Sequence, residues 1–235
     1  MIESLAVNPF DVNLGRPALA PSLAVLAVVT ACLGAPTAVA QSSAASQAEV
    51  QRLGEYIRTP DHLKVVGTAI ATFEPTALQA QCKDVKPVKG RSWQPVEEPK
   101  FEGPGPAPTN AAWQESWDVT VCGRPEVRNI GFVARPGQPV VPFPMFPGTS
   151  LADLKLQADA GQMALDTVAP GALNCPQGAI QVIASTVTNR AEFARGKWSE
   201  RWTVAGCGHT ADIDVDFLPG PNGRPTWGFR AGKAR

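Results

Sequence analysis

Trp113-Gln114-Glu115-Ser116-Trp117-Asp118-Val119-Thr120-Val121-Cys122-Gly123 is followed, 85 residues later, by Trp198-Ser199-Glu200-Arg201-Trp202-Thr203-Val204-Ala205-Gly206-Cys207-Gly208. Both stretches read W-x-E-x-W-x-V-x-x-C-G. They hold four of the chain's six tryptophans and two of its five cysteines. A coincidence of this kind at a fixed offset is the signature of an internal repeat.

Side chains on a strand alternate between its faces. Trp113, Glu115, Trp117 and Val119 therefore share one face, and Gln114, Ser116, Asp118 and Thr120 the other. Trp198, Glu200, Trp202 and Val204 separate in the same way from Ser199, Arg201 and Thr203. Each copy is predicted to be a half-buried strand, with tryptophans that each bury roughly 150–250 Å². A glutamate between two indoles on the apolar face admits two readings. It is a buried carboxylate satisfied by an ion pair or by indole N–H donors, because an unpaired charge there costs several kcal/mol. Alternatively it is an open carboxylate between aromatic faces that holds a cation or a sugar.

Working outward, a looser correspondence appears. Pro75-Thr76-Ala77-Leu78 lies just before Cys82, and Pro170-Gly171-Ala172-Leu173 just before Cys175. Upstream, Val50, Leu53 and Ile57 have helical spacing, with Pro60 ending that helix and Leu63 to Phe73 giving a weaker helical segment. In the second half Ser150 is placed to cap a helix presenting Leu151, Leu154, Ala158 and Leu165, with Asp153 at the capping-box position. Strands are expected within Lys83 to Val96, over Gln181 to Thr188, after each C-G pair up to Phe132 or Phe217, and over Thr226 to Arg230 behind an Asn222-Gly223 turn. The expected fold is α+β: a tandem duplication, each repeat a helix followed by a small antiparallel sheet closed by one disulfide. The division is residues 1–40 export signal, 41–48 tether, 49–134 first repeat, 135–148 proline-rich connector and 149–235 second repeat.

Arg16, the apolar run Pro21 to Leu33 and Ala38-Val39-Ala40 form an export signal cleaved before Gln41. Val29-Thr30-Ala31-Cys32 offers the alternative of a lipoprotein acylated on Cys32. With Cys32 set aside, Cys82, Cys122, Cys175 and Cys207 are an even set in an oxidising compartment. Three pairings are open, and the repeat favours Cys82 with Cys122 and Cys175 with Cys207. No C-x-x-C pair occurs and His62 and His209 are the only imidazoles, so neither a zinc site nor any other cofactor is expected. Asp212, Asp214 and Asp216 alternate with apolar residues as a strand does, without the glycine turn and later ligands of a calcium loop.

Formal charge is zero over the full chain. Losing Glu3, Asp11 and Arg16 with the first forty residues leaves 20 basic against 19 acidic side chains, or +1. Nucleic acid is not the expected partner. Gly103 to Pro108 must form an exposed loop in the first repeat, a place where a specialised role would sit. The connector, with prolines at 136, 139, 142, 144 and 147, is extended and stiff, and its Phe143, Met145 and Phe146 are expected to cover a sheet edge or the seam.

The catalytic inventory is thin: two histidines, one tyrosine and no nucleophile motif. The expectation is an exported, non-enzymatic binding or scaffold protein of the bacterial cell envelope, periplasmic or secreted, with an unidentified envelope protein or polymer as partner. It would touch the membrane only through the signal segment or a lipid on Cys32. The alternative is a hydrolase of an envelope polymer that uses Glu115 and Glu200 as a carboxylate pair.

Overall fold

A computed structural model describes residues 44–73, 84–220 and 224–232. The expected export signal, its cleavage site, Cys32, Cys82, the Pro75 to Leu78 stretch and the Asn222-Gly223 turn lie outside the described residues. The fold is α+β. Two antiparallel four-stranded sheets, each in simple sequence order, carry a few helices, and Cys175 is bonded to Cys207.

The first half begins with α1 (Ala44–Tyr56) and α2 (Pro60–Thr72). Helix α1 already occupies residues expected to be tether. Pro60 both separates the helices and opens the second: it stands in the first turn of α2, where the missing N–H costs nothing, and the Thr59 hydroxyl caps the His62 amide at 3.3 Å. Then follow β1 (Val85–Lys100), β2 (Asn110–Val121), β3 (Arg124–Ala134) and β4 (Val141–Pro144). β1 runs four residues past Val96, the expected limit of that strand. Its edge is interrupted by register shifts and carries Pro87, Pro95, Lys86 and Lys89, features that discourage pairing with another chain. The Gly103 loop is fastened to α1, because the Arg52 guanidinium donates to the carbonyls of Gly103 (3.2 Å) and Gly105 (2.9 Å) and lies over the Phe101 ring.

The second half has α3 (Leu154–Met163), a π-helical turn (Ala164–Val168), α4 (Ala169–Leu173), β5 (Gln181–Asn189), β6 (Trp198–Gly206), β7 (His209–Pro219) and β8 (Pro225–Ala231). The helix start differs from the sequence expectation. Asp153 is the cap, accepting the Leu156 amide at 2.8 Å, and Ser150 lies outside the helix with another duty. The inward face is Leu156, Ala160 and Ala164 with Gln157, while Leu151 and Leu165 pack at the margin of the core. Gly161 on that face leaves room for the Phe146 ring, which a Cβ there would strike. Pro170 has no N–H for the Asp166 carbonyl, and Gln177 Nε2 donates to it instead at 2.5 Å.

Each C-G pair is a hairpin turn. Cys122 and Gly123 have φ of 46° and 78°, and Cys207 and Gly208 have 50° and 80°. Val121 pairs with Arg124 and Gly206 with His209, so each turn has two central residues, both left-handed as a type I′ turn demands. Glycine takes such a φ freely, whereas a cysteine there gives up roughly 1–2 kcal/mol. In both turns that cysteine is oxidised: Cys207 to Cys175, and Cys122 in a disulfide of its own.

The connector is a seam. Phe143 lies over Gly131, where any Cβ would fall inside the ring, and Phe146 likewise uses the space left by Gly161 while its ring meets Trp202 edge-on at 4.9 Å. Buried Asn129 donates from Nδ2 to the carbonyls of Phe146 (2.7 Å) and Gly148 (3.0 Å). Gly148 bridges Ser185 of β5, whose hydroxyl and amide both donate to the Pro147 carbonyl at 2.6 Å. On the outer face of β2, Gln114 accepts the Leu154 amide at 2.9 Å. The halves therefore keep separate apolar cores and meet through hydrogen bonds.

Candidate functional site

The period of two in W-x-E-x-W sets both indoles of a strand on the same face as the intervening glutamate. In β2 the Glu115 carboxylate is 3% exposed. Trp113 Nε1 donates to its Oε1 at 2.8 Å, and Trp117 Nε1 to its Oε2 at 2.9 Å. A third contact comes from α2, where His62 Nε2 lies 2.6 Å from Oε1. Glu115 is an acceptor only, so His62 meets it as an N–H donor. The imidazole is packed among Tyr56, Trp113 and Phe132, and its Nδ1 has no partner.

In β6 the Glu200 carboxylate is fully buried. Trp198 Nε1 donates to Oε1 at 2.9 Å and Trp202 Nε1 to Oε2 at 2.8 Å, matching the arrangement at Glu115. The remaining donors differ. The Ser150 hydroxyl lies 3.0 and 2.8 Å from the two oxygens, and the amides of Leu151 (2.7 Å) and Ala152 (3.3 Å) point at Oε1. Those amides form a small backbone cradle just before α3. One carboxylate is thus anchored by an imidazole and the other by a hydroxyl and main chain.

Behind each clamp the packing is alike. Trp113 stacks on Phe132 at 5.1 Å and 14°, and Trp198 on Phe217 at 4.5 Å and 16°. In both sheets those pairs are direct cross-strand neighbours. Neighbouring Tyr56 feels the clamp: burial first, then the charges of Glu115 and Asp61, push its phenol above the ordinary value. Both glutamates sit in cores with their oxygens occupied by donors, and Glu115 belongs to the first core while Glu200 stands among the residues of the second. Neither carboxylate is exposed to solvent.

No family model, curated protein or solved structure matches the chain.

The other residues singled out in the sequence find plain physical roles. Asp212, Asp214 and Asp216 accept from Thr203 (2.9 Å), Arg201 (2.8 Å) and Ser199 (2.7 Å), each its direct cross-strand neighbour, and Arg230 adds a contact to Asp216 at 3.1 Å. These are strand pairs on the solvent face, and among the described residues no cluster of metal-binding side chains forms. His209 is exposed beside the second turn. No helix among the described residues is long and apolar enough to cross a membrane.

Two clefts open on the surface. One, of about 400 Å³, runs between α2 and Pro142 and is lined by carbon except at Lys64 and the threonines Thr68 and Thr72. The other, of about 300 Å³, lies where β1 meets the start of α3 and the β5–β6 connection. Sequence reasoning missed His62 and Ser150 as partners of the glutamates. His62 is 53 residues from Glu115, and Ser150 is 50 from Glu200. Only the need of a buried carboxylate for further donors pointed toward them.

Proposed function

We propose that this chain is an exported, non-catalytic binding or scaffold protein of the bacterial cell envelope, periplasmic or secreted, built from two halves related by tandem duplication. The observation that carries the reading is the state of Glu115 and Glu200. The repeated ionisable side chains are consumed in holding sheets to helices, with three donors on one and five on the other. A hydrolytic pair needs its carboxylates at a substrate.

Duplication is supported by the matching clamps, the matching Trp–Phe stacks and the matching left-handed C-G turns. Export is supported by the sequence of residues 1–40, and the Cys175–Cys207 disulfide is compatible with an oxidising compartment. The seam fits a scaffold: Asn129, Gln157 and Ser185 are buried and hydrogen-bonded across it, so two surfaces are held in one fixed relation.

The test is a turnover screen of the purified chain on glycoside and ester substrates. No turnover is expected. Hydrolysis that disappears in both Glu115→Gln and Glu200→Gln, with the fold retained, would overturn the reading.

A further inference from the structure

The 300 Å³ cleft lies at the low end of ligand-site volumes, with room for one ring-sized group. Five separate segments converge on it. Leu156 of α3 and Trp198 of β6 give it an apolar floor, Phe193 of the β5–β6 connection a side wall, and Gln94 of β1 with Asp153 of the α3 cap a polar rim. Phe193 is 38% exposed and stands edge-on to Trp198 at 5.3 Å. An aromatic ring left that open beside a cavity is a surface on which a flat apolar face can rest.

Charge narrows the ligand. The connection around Phe193 carries Arg190, Arg195 and Lys197 against Glu192, and the Arg190 guanidinium sits 5.8 Å from the Phe193 ring, so a cation is repelled from that side. The Asp153 carboxylate also lines the cleft and repels an anion. The Trp198 N–H is committed to Glu200 and brings no donor to the floor. What remains is a neutral group with C–H faces for Phe193 and hydroxyl or amide edges for Gln94 and the outer oxygen of Asp153.

We propose that this cleft binds a single neutral saccharide ring of a glycan, with Phe193 as its platform and Gln94 and Asp153 as its hydrogen-bonding edge. The proposal rests on reading the chain as a binding protein and names the chemistry of its ligand. Contact with one ring implies weak binding, on the order of 1 mM.

The experiment is an NMR titration of the intact disulfide-bonded protein with N-acetylglucosamine and its β-1,4 trisaccharide, alongside lysine amide as a cation and acetate as an anion. Saturable shifts of the Trp198 indole with either saccharide, and none with the charged probes, are expected. Phe193→Ala should weaken saccharide binding about tenfold or more while Phe193→Trp retains it, both still folded, with Phe193→Ala lowering the melting temperature only slightly through the lost edge contact with Trp198. Binding that survives Phe193→Ala, or absence of any saccharide shift at concentrations well above 1 mM, overturns the proposal. Binding of lysine amide or acetate in this cleft overturns the saccharide assignment and leaves the binding-protein reading standing. Hydrolysis of the trisaccharide would do the reverse.

Discussion

Glu200→Gln isolates the clamp with a change of one atom. The amide oxygen would take the Oε1 position, keeping Trp198, Leu151 and Ala152, and the amide nitrogen would then face the Trp202 indole N–H at 2.8 Å and the Ser150 hydroxyl at 2.8 Å. Ser150 adapts by rotating its hydroxyl. Trp202 cannot, and its N–H is left buried against another donor. An orphaned buried donor costs about 1–3 kcal/mol, and turning charge-assisted bonds into neutral ones removes about another 1–2 kcal/mol. Relief of the carboxylate's desolvation offsets part of this, although five donors have already replaced its water. The net expectation is a loss of about 2–4 kcal/mol, a large share of the 5–15 kcal/mol of a typical domain. Urea unfolding followed by tryptophan fluorescence, with the disulfides intact, should show it, and the melting temperature should fall by on the order of 10 °C. Asp159→Asn, which removes only an exposed pair with Lys155, should change stability by less than about 0.5 kcal/mol. A loss below about 1 kcal/mol for Glu200→Gln would refute the reasoning, because the carboxylate would then be no more than a tolerated burial.

Tyr56 is the only tyrosine, so its phenolate absorbance reports one group, and its midpoint should lie above the ordinary value of about 10. Because the folded value is raised, stability should hold below pH about 10 and fall as pH rises through the folded value, and Glu115→Gln should move the midpoint down. Gly131→Ala sets a Cβ inside the Phe143 ring and should cost about 1–3 kcal/mol, read by thermal melting, with β4 losing hydrogen-exchange protection first. Replacing Cys175 and Cys207 together by serine opens a loop of 32 residues, and chemical denaturation should show a loss of about 3–4 kcal/mol.

Much of the first layer of this fold is written locally. The alternation in Trp113 to Val119 and Trp198 to Val204 fixes which face is buried, and a glutamate on that face must find donors, two of which stand two residues to either side. The C-G turns carry a local signal too, since a glycine between two alternating runs marks a hairpin, but a cysteine at a left-handed position is not part of that signal. What local pattern could not supply was distant partnership. Little around His62 marks it as a core residue, because apart from Tyr56 its environment is made by β2 and β3. Ser150 looks like a helix cap, yet a buried carboxylate outcompetes the helix for its hydroxyl and Asp153 takes the cap. The α3 face differs for a similar reason: the Phe146 ring, brought in by the connector, takes the place of a Cβ at Gly161, and Ala160 and Ala164 are buried on the same side in place of the leucines that periodicity favours.

In two separate interiors, indole N–H groups are held by a buried carboxylate. Hydrogen exchange of the assigned indole protons measures that directly, with Trp93 and Trp227, which do not share those carboxylates, as internal comparisons. The indole protons of Trp113, Trp198 and Trp202 should exchange slowest, with Trp117 next, and Glu115→Gln and Glu200→Gln should each release the pair in its own half. Exchange of those protons as fast as that of Trp227 would contradict the clamp and the separate cores built on it.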